Sequence, residues 1–268
     1  MRKLLSVISA TALVGTSTLT VVSCSSNKYF KEFKKWIDNK ESFLLYIGAD
    51  DCTHCIDFEN AKKDNSDKFN EKLMQITTGY NQTIANNENE YPETMTAFGE
   101  KLNNEVDFRE FKTEELANNF KEKWSKNIIS WMVDQVTPIY KDKTYGNTGT
   151  NDTVATRLSK KAVEAYFDSS DNKGTPMFIL IRNGKLVSWN VGYSKSSEVG
   201  HSGVDIEKLF DPIIEDMKYK EIEEKMVTKI NNSGSSTGGG EGETSEDTLS
   251  FNYALNDQDL INNYYLNK

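Results

Sequence analysis

Three cysteines in 268 residues leave nothing for a disulfide framework, and two histidines leave little for a metal. A structural zinc needs four ligands, and neither His54 nor His201 has ligand spacing with a second cysteine pair. Basic residues are in deficit, 32 against 41 acidic ones, for a net charge of −9. That argues against a nucleic-acid groove as the main business of the chain. No glycine-rich phosphate loop and no hydrolase triad stands out, so nucleotide-dependent and Ser/His/Asp-type chemistry have no support. No cofactor is implied.

Arg2 and Lys3 form a positive n-region, and Leu4 to Val22 a mostly apolar stretch diluted by Ser and Thr. The stretch ends in Val21-Val22-Ser23-Cys24, which resembles a bacterial lipobox. In exported proteins of that type the cysteine is lipidated and becomes the first mature residue. Residues 1–23 are therefore expected to be a signal peptide, with residues 24–28 the lipidated Cys24 and its tether. Two or more acyl chains would hold the protein stably on a membrane, at its extracellular face. An uncleaved transmembrane leader is the competing reading, since the run is about long enough to span. Frequent Lys and Asn fit the codon bias of an AT-rich genome, such as that of a mollicute.

With Cys24 lipidated, Cys52 and Cys55 are the one remaining pair. A disulfide closing so short a loop adds little stability, which tilts the pair toward redox chemistry. An inert disulfide and a metal site remain the other readings. The stretch around the pair organises the chain. Phe43 to Ile47 is a continuous apolar run, the pattern of a strand buried on both faces. Gly48 to Asp51 is a turn, and Cys52-Thr53-His54-Cys55 opens a helix through Ile56-Asp57-Phe58-Glu59. The spacing puts both sulfurs on one side of the first helical turn. Free N–H groups and the positive dipole end of that turn favour a thiolate at Cys52, and His54 adds charge when protonated. Asp50 and Asp51 oppose it. Cys52 is expected to be exposed and to titrate below a free thiol, with Cys55 more shielded.

Apolar residues at 29, 30, 33, 36 and 37 predict an amphipathic helix ahead of the strand. The helix from Cys52 is expected to run toward Met74, with a break near Asn65. Thr77 to Glu90 reads as loop or frayed helix, and Thr94 to Leu102, after Pro92, as a weak helix. Val106 to Phe111 alternates like a strand. Thr113-Glu114-Glu115 should open a helix whose apolar face, Leu116 to Met132, reaches about Val136 before Pro138 ends it. Lys141 to Asp152 reads as a surface loop. Val154 to Phe167 is a further helix, with Leu158, Ala162, Ala165 and Tyr166 inward. Gly174-Thr175-Pro176 precedes the apolar strand Met177 to Ile181, and Asn183-Gly184 turns it into a partner strand, Lys185 to Val191. Ile206 to Met217 marks a last core helix, with Pro212 inside it, extending toward Ile230. The Gly/Ser/Thr/Glu-rich residues 231–248 should be a disordered linker, and residues 249–268 an aromatic tail.

Strand, Cys-x-x-Cys at a helix start, a later X-Pro before an antiparallel hairpin, and a closing helix together resemble the thioredoxin-like superfamily. Cys52-Thr53-His54-Cys55-Ile56-Asp57-Phe58-Glu59 is most similar to exported thiol:disulfide oxidoreductases of the Dsb type. The Tyr46-Ile47-Gly48 lead-in is similar to small thioredoxin-like proteins of Gram-positive bacteria. The resemblance implies an α/β fold: a thioredoxin-like domain over residues 29–230, a mostly helical insertion at about 77–152, and a low-complexity tail at 231–268. It implies a cis Thr175-Pro176 facing the dithiol and binding the substrate backbone. It makes Cys52 the attacking sulfur, Cys55 the resolving one and His54 a tuning residue. Asp51 stands where the family has Trp, Thr53-His54 where thioredoxin has Gly-Pro, and Tyr46 where a buried acid is frequent.

The first functional reading is thus a lipid-anchored thiol-disulfide oxidoreductase acting on protein thiols or disulfides, with an electron-transfer partner of unknown identity. The second is a non-catalytic surface lipoprotein that keeps the fold and uses the insertion or the tail for binding.

Overall fold

The computed structural model describes residues 27–86, 101–113, 120–169, 172–195, 203–218 and 222–232. The expected leader, Cys24, most of the Pro92 helix, His201 and the linker and tail from residue 233 lie outside the described residues.

The element order is α1 (Lys28–Asp38), β1 (Phe43–Ala49), α2 (Thr53–Asp64), α3 (Ser66–Asn86), β2 (Asp107–Thr113), α4 (Lys123–Tyr145), α5 (Asp152–Asp168), β3 (Met177–Arg182), β4 (Lys185–Val191), α6 (Gly203–Lys218) and α7 (Ile222–Asn232). The described strands form one four-stranded sheet in the order β2-β1-β3-β4. β1 pairs parallel with β2 and antiparallel with β3, and β3 pairs antiparallel with β4. The protein is therefore mixed α/β, with helices on both faces of the sheet.

The apolar run of β1 explains its central place: all seven of its residues are buried. Alternate side chains serve opposite faces. On one face Tyr46 meets Phe58 of α2 and Phe178 of β3, and Phe69 of α3 meets Phe108 of β2 and Phe210 of α6. On the other, Phe43 lies under Phe33 and Trp36 of α1, and Phe111 packs against Tyr29, Trp36 and Trp124. Trp189 of β4 extends this second layer against Tyr166 and Phe167 of α5. Each such side chain contributes about 1.5–3 kcal/mol on full burial, so the aromatic layers clamp the helices to the sheet.

The β3–β4 turn is built by conformation as much as by packing. Asn183 (φ 49°) and Gly184 (φ 76°) both occupy the left-handed region, as a two-residue hairpin turn of type I′ requires. A Cβ at Gly184 would fall 2.5 Å from the Ile37 carbonyl oxygen, so the turn also seats the end of α1.

Several elements differ from the sequence expectation. The polar stretch after Thr77 is helical, with α3 continuing to Asn86. Ile76 and Tyr80 are buried, and this inward face outweighs the polar composition around it. The strand at Val106 to Phe111 forms as expected, as β2, shifted to Asp107–Thr113. Thr113 belongs to that strand, while Glu114, Glu115 and the residues to 119 lie outside the described residues. Phe120 sits in a turn at φ 53°, and α4 runs from Lys123. Pro138 does not end α4, which runs on to Tyr145. Buried Val133, Val136 and Tyr140 hold one apolar face across the proline. The carbonyl orphaned by Pro138 belongs to exposed Asp134, where water can satisfy it. Ala165 is exposed, while Val163 and Phe167 take the inward positions. The closing helix is two helices, α6 and α7. Among the described residues no helix is long and apolar enough to cross a membrane.

Candidate active site

β1 is the element that delivers the cysteines. It ends at Ala49, the chain turns through Asp50 and Asp51, and Cys52 becomes the N-cap of α2. Its sulfur takes the role a Ser or Asp oxygen has in other helix caps. The Cys55 N–H donates to Cys52 Sγ over 3.2 Å, satisfying one of the donors the first turn leaves over. The Cys52 carbonyl accepts from the N–H groups of Cys55 and Ile56, both at 3.0 Å. Cys52 and Cys55 are at disulfide distance, with Cα atoms 5.1 Å apart.

The second part of the site comes from far along the chain, just before β3. The Thr175-Pro176 peptide is cis, as expected. The Thr175 carbonyl oxygen lies 3.3 Å from Cys52 Sγ, across 123 residues of chain. The Gly192 N–H donates to the Pro176 carbonyl at 2.8 Å, tying the end of β4 to the same loop. Thr175 Oγ1 is buried and has no hydrogen-bond partner among the described residues.

Cys52 differs from expectation in one respect: it is buried, at 3% exposure, against 0% for Cys55. The order of the two is as anticipated, but the Thr175 carbonyl lies against the Cys52 sulfur. His54 and Thr53 are exposed on the same helical turn. His201 lies outside the described residues. The structure therefore gathers Cys52, Cys55, Thr175 and Pro176, and places His54 on the rim.

Electrostatics around the pair also involve Glu59 and Lys112, to which the sequence assigned no role. Glu59 is one turn beyond Cys55 on α2. It accepts from the Tyr46 hydroxyl at 3.1 Å and from Lys112 Nζ at 3.0 Å. Lys112 also reaches Asp50 at 3.2 Å. Burial raises the Tyr46 phenol above its ordinary range, and the Glu59 charge raises it further. Tyr46 thus stays a neutral donor at the position where a buried acid was looked for. Burial pulls the Lys112 ammonium pKa down, but Glu59 and Asp50 outweigh it and the net shift is upward. On the other flank Lys195 pairs with Asp57 at 3.4 Å. Tyr193, whose ring contacts Phe58, has its hydroxyl pKa raised by burial and by Asp205 and Asp57. Glu59 was findable as the residue four after Cys55, on its helical face. Lys112 was not, because only the β1–β2 register sets it opposite Gly48.

Among the described residues no cluster of His, Cys, Asp and Glu could hold a metal ion. The chemistry available is that of two sulfurs at a helix N-terminus, a backbone carbonyl beside one of them, and a hydrogen-bonded Tyr–Glu–Lys group one turn away. No protein-family model, no curated protein and no solved structure matches the chain.

Proposed function

We propose that the chain is a lipid-anchored thiol-disulfide oxidoreductase with a thioredoxin-like arrangement, working through Cys52 and Cys55. The observation that carries this reading is the position of Cys52 Sγ. It caps α2, accepts the Cys55 N–H, and lies 3.3 Å from a carbonyl brought from a distant loop. A purely structural disulfide of four residues has no need of that loop.

In the reducing direction the Cys52 thiolate attacks one sulfur of a substrate disulfide. That S–S bond breaks, a mixed disulfide forms, and the first substrate thiolate leaves and takes a proton. Cys55 then loses its proton and attacks the Cys52 sulfur, releasing the second substrate thiol. Two electrons pass from the dithiol to the substrate, and Cys52–Cys55 becomes the disulfide. The same steps in reverse oxidise a substrate dithiol. The Cys55 N–H and the helix N-terminus stabilise charge on Cys52 in either direction. Thr175 and Pro176 line the approach and are the residues that would hold a substrate backbone.

The burial of Cys52 favours a second reading, a surface lipoprotein with an inert disulfide that serves binding. Insulin reduction and oxidation of reduced RNase separate the two. The enzyme reading expects activity in at least one assay, lost in Cys52→Ser. Wild-type rates equal to those of the variant in both assays would sink it.

A further inference from the structure

We propose that the thiol or disulfide exchanging with Cys52 is presented at the bilayer surface, by a membrane-embedded or membrane-tethered protein. This rests on the oxidoreductase and lipid-anchor readings above. The argument is one of reach. Three residues, Ser25 to Asn27, lie between Cys24 and Lys28, the first residue of α1. Fully extended, the four steps from Cys24 to Lys28 span at most about 14 Å. The start of α1 is itself fixed to the domain. Asn127 Nδ2 donates to Asn27 Oδ1 at 3.0 Å, and Tyr29 packs on Phe111 at 4.5 Å and on Trp124 at 5.0 Å.

The direction of α1 decides which end of the sheet is held near the anchor. Its last turn meets the β3–β4 turn: the Gly184 N–H donates to the Glu41 carbonyl just beyond α1, and Gly184 abuts the Ile37 oxygen. That turn lies at the beginning of β1, because β3 runs antiparallel to it with Ile181 opposite Phe43. α1 therefore runs antiparallel to β1. Its first turn is at the end where β1 delivers Cys52. Phe111, under Tyr29, is the register partner of Ile47 near that end. The start of α1, where the tether joins, and the dithiol share one pole of the domain. The opposite pole is a whole strand further away, about 23 Å for seven residues.

A second observation concerns the surface of α1. The chain is acidic, at −9, yet Lys28, Lys31, Lys34 and Lys35 are all exposed on the side of α1 away from buried Phe33. Glu32 and Asp38 are the acidic residues of this helix, and Asp38 is paired with Lys34. A cationic face beside the tether complements anionic headgroups and keeps the dithiol pole down on the surface.

The test uses the lipidated full chain, reduced and reconstituted into vesicles that contain a lipid bearing a pyridyl disulfide on its headgroup. Cys52 attacks that disulfide and expels pyridine-2-thione, which is read by absorbance. Cys55 then releases the lipid thiol and closes the Cys52–Cys55 disulfide. The comparison variant carries a rigid helical spacer of about 15 residues between Ser26 and Asn27, roughly 20 Å long. The wild type is expected to react at least threefold faster than the spacer variant with the lipid-borne disulfide. Both are expected to react equally with a water-soluble pyridyl disulfide. In anionic vesicles, Lys28→Gln with Lys31→Gln and Lys35→Gln should slow the lipid-borne reaction by up to about fivefold per lysine. In neutral vesicles the triple variant should match the wild type. Equal rates for wild type and spacer variant on the lipid-borne disulfide overturn the proposal. No reaction with the soluble disulfide removes the oxidoreductase reading and the proposal with it. Failure to associate with vesicles removes the anchor reading and likewise the proposal.

Discussion

Phe58 couples the candidate site to the core, and its removal has a calculable effect on Cys55. The ring is fully buried and lies 4.8 Å from Tyr46, 4.9 Å from Phe178 and 5.6 Å from Tyr193, measured between centroids. It sits one turn after Cys55 on α2. Truncating a buried Phe to Ala costs about 3–5 kcal/mol in lost transfer energy and cavity formation. With neighbours on two strands and a loop, the site has little freedom to collapse, which puts the expectation in the upper part of that range. Cys55 is 0% exposed, so alkylating it requires α2 to open. If α2 opens with the core, a loss of about 4 kcal/mol raises the open population by about three orders of magnitude, since 1.4 kcal/mol is a factor of ten. The measurement is iodoacetamide labelling of Cys55 in a Cys52→Ser background, where the serine still caps the helix. It is run beside urea unfolding, with and without Phe58→Ala. Ile56, 46% exposed on the same helix, is the control. Ile56→Ala should cost under about 0.5 kcal/mol and change labelling by no more than about twofold. The coupling idea fails if Phe58→Ala lowers global stability as stated while Cys55 labelling stays within a few-fold of its parent. The dithiol turn would then open independently of the core.

Three further outcomes are expected. Lys229 of α7 lies against the Trp189 ring and donates to the Trp189 carbonyl, and burial pulls its ammonium down to about 8. Between that value and the ordinary lysine range the unfolded chain binds more protons than the folded one. Stability attributable to Lys229 should therefore rise with pH above about 8, by roughly 3 kcal/mol in all. The wild type minus Lys229→Met difference in urea midpoints isolates it, and a flat difference from pH 7 to 10.5 would refute it. Gly184→Ala places a Cβ at a left-handed φ against the Ile37 carbonyl. A loss of about 2–3 kcal/mol is expected in urea unfolding, and a loss under about 0.5 would mean that the turn relaxes freely. The mature protein should partition into the detergent phase and Cys24→Ser should not; unchanged partitioning of the variant would point to an uncleaved leader.

The apolar run from Phe43 to Ile47, the Cys-x-x-Cys after a turn, the Asn183-Gly184 hairpin and the break at Asn65 were legible in the sequence. Each is decided within a few residues, by hydrophobic period, helix-end donors or the conformations a turn demands. So was the approach of Cys52 and Cys55, because their spacing puts both sulfurs on one helical turn. What the sequence could not decide depends on partners far along the chain. Pro138 reads locally as a stop, yet α4 passes through it because Val133, Val136 and Tyr140 are buried on both sides of it. The polar stretch after Thr77 becomes helix because Ile76 and Tyr80 find the core. Cys52 looks exposed from its place at a helix start, yet it is buried, with the Thr175 carbonyl from 123 residues away against its sulfur. The Tyr46–Glu59–Lys112 group likewise exists only once β2 pairs with β1. Local rules set what each segment is able to form. Long-range packing, worth several kcal/mol where local propensities are worth tenths to about one, sets which of those options the chain takes.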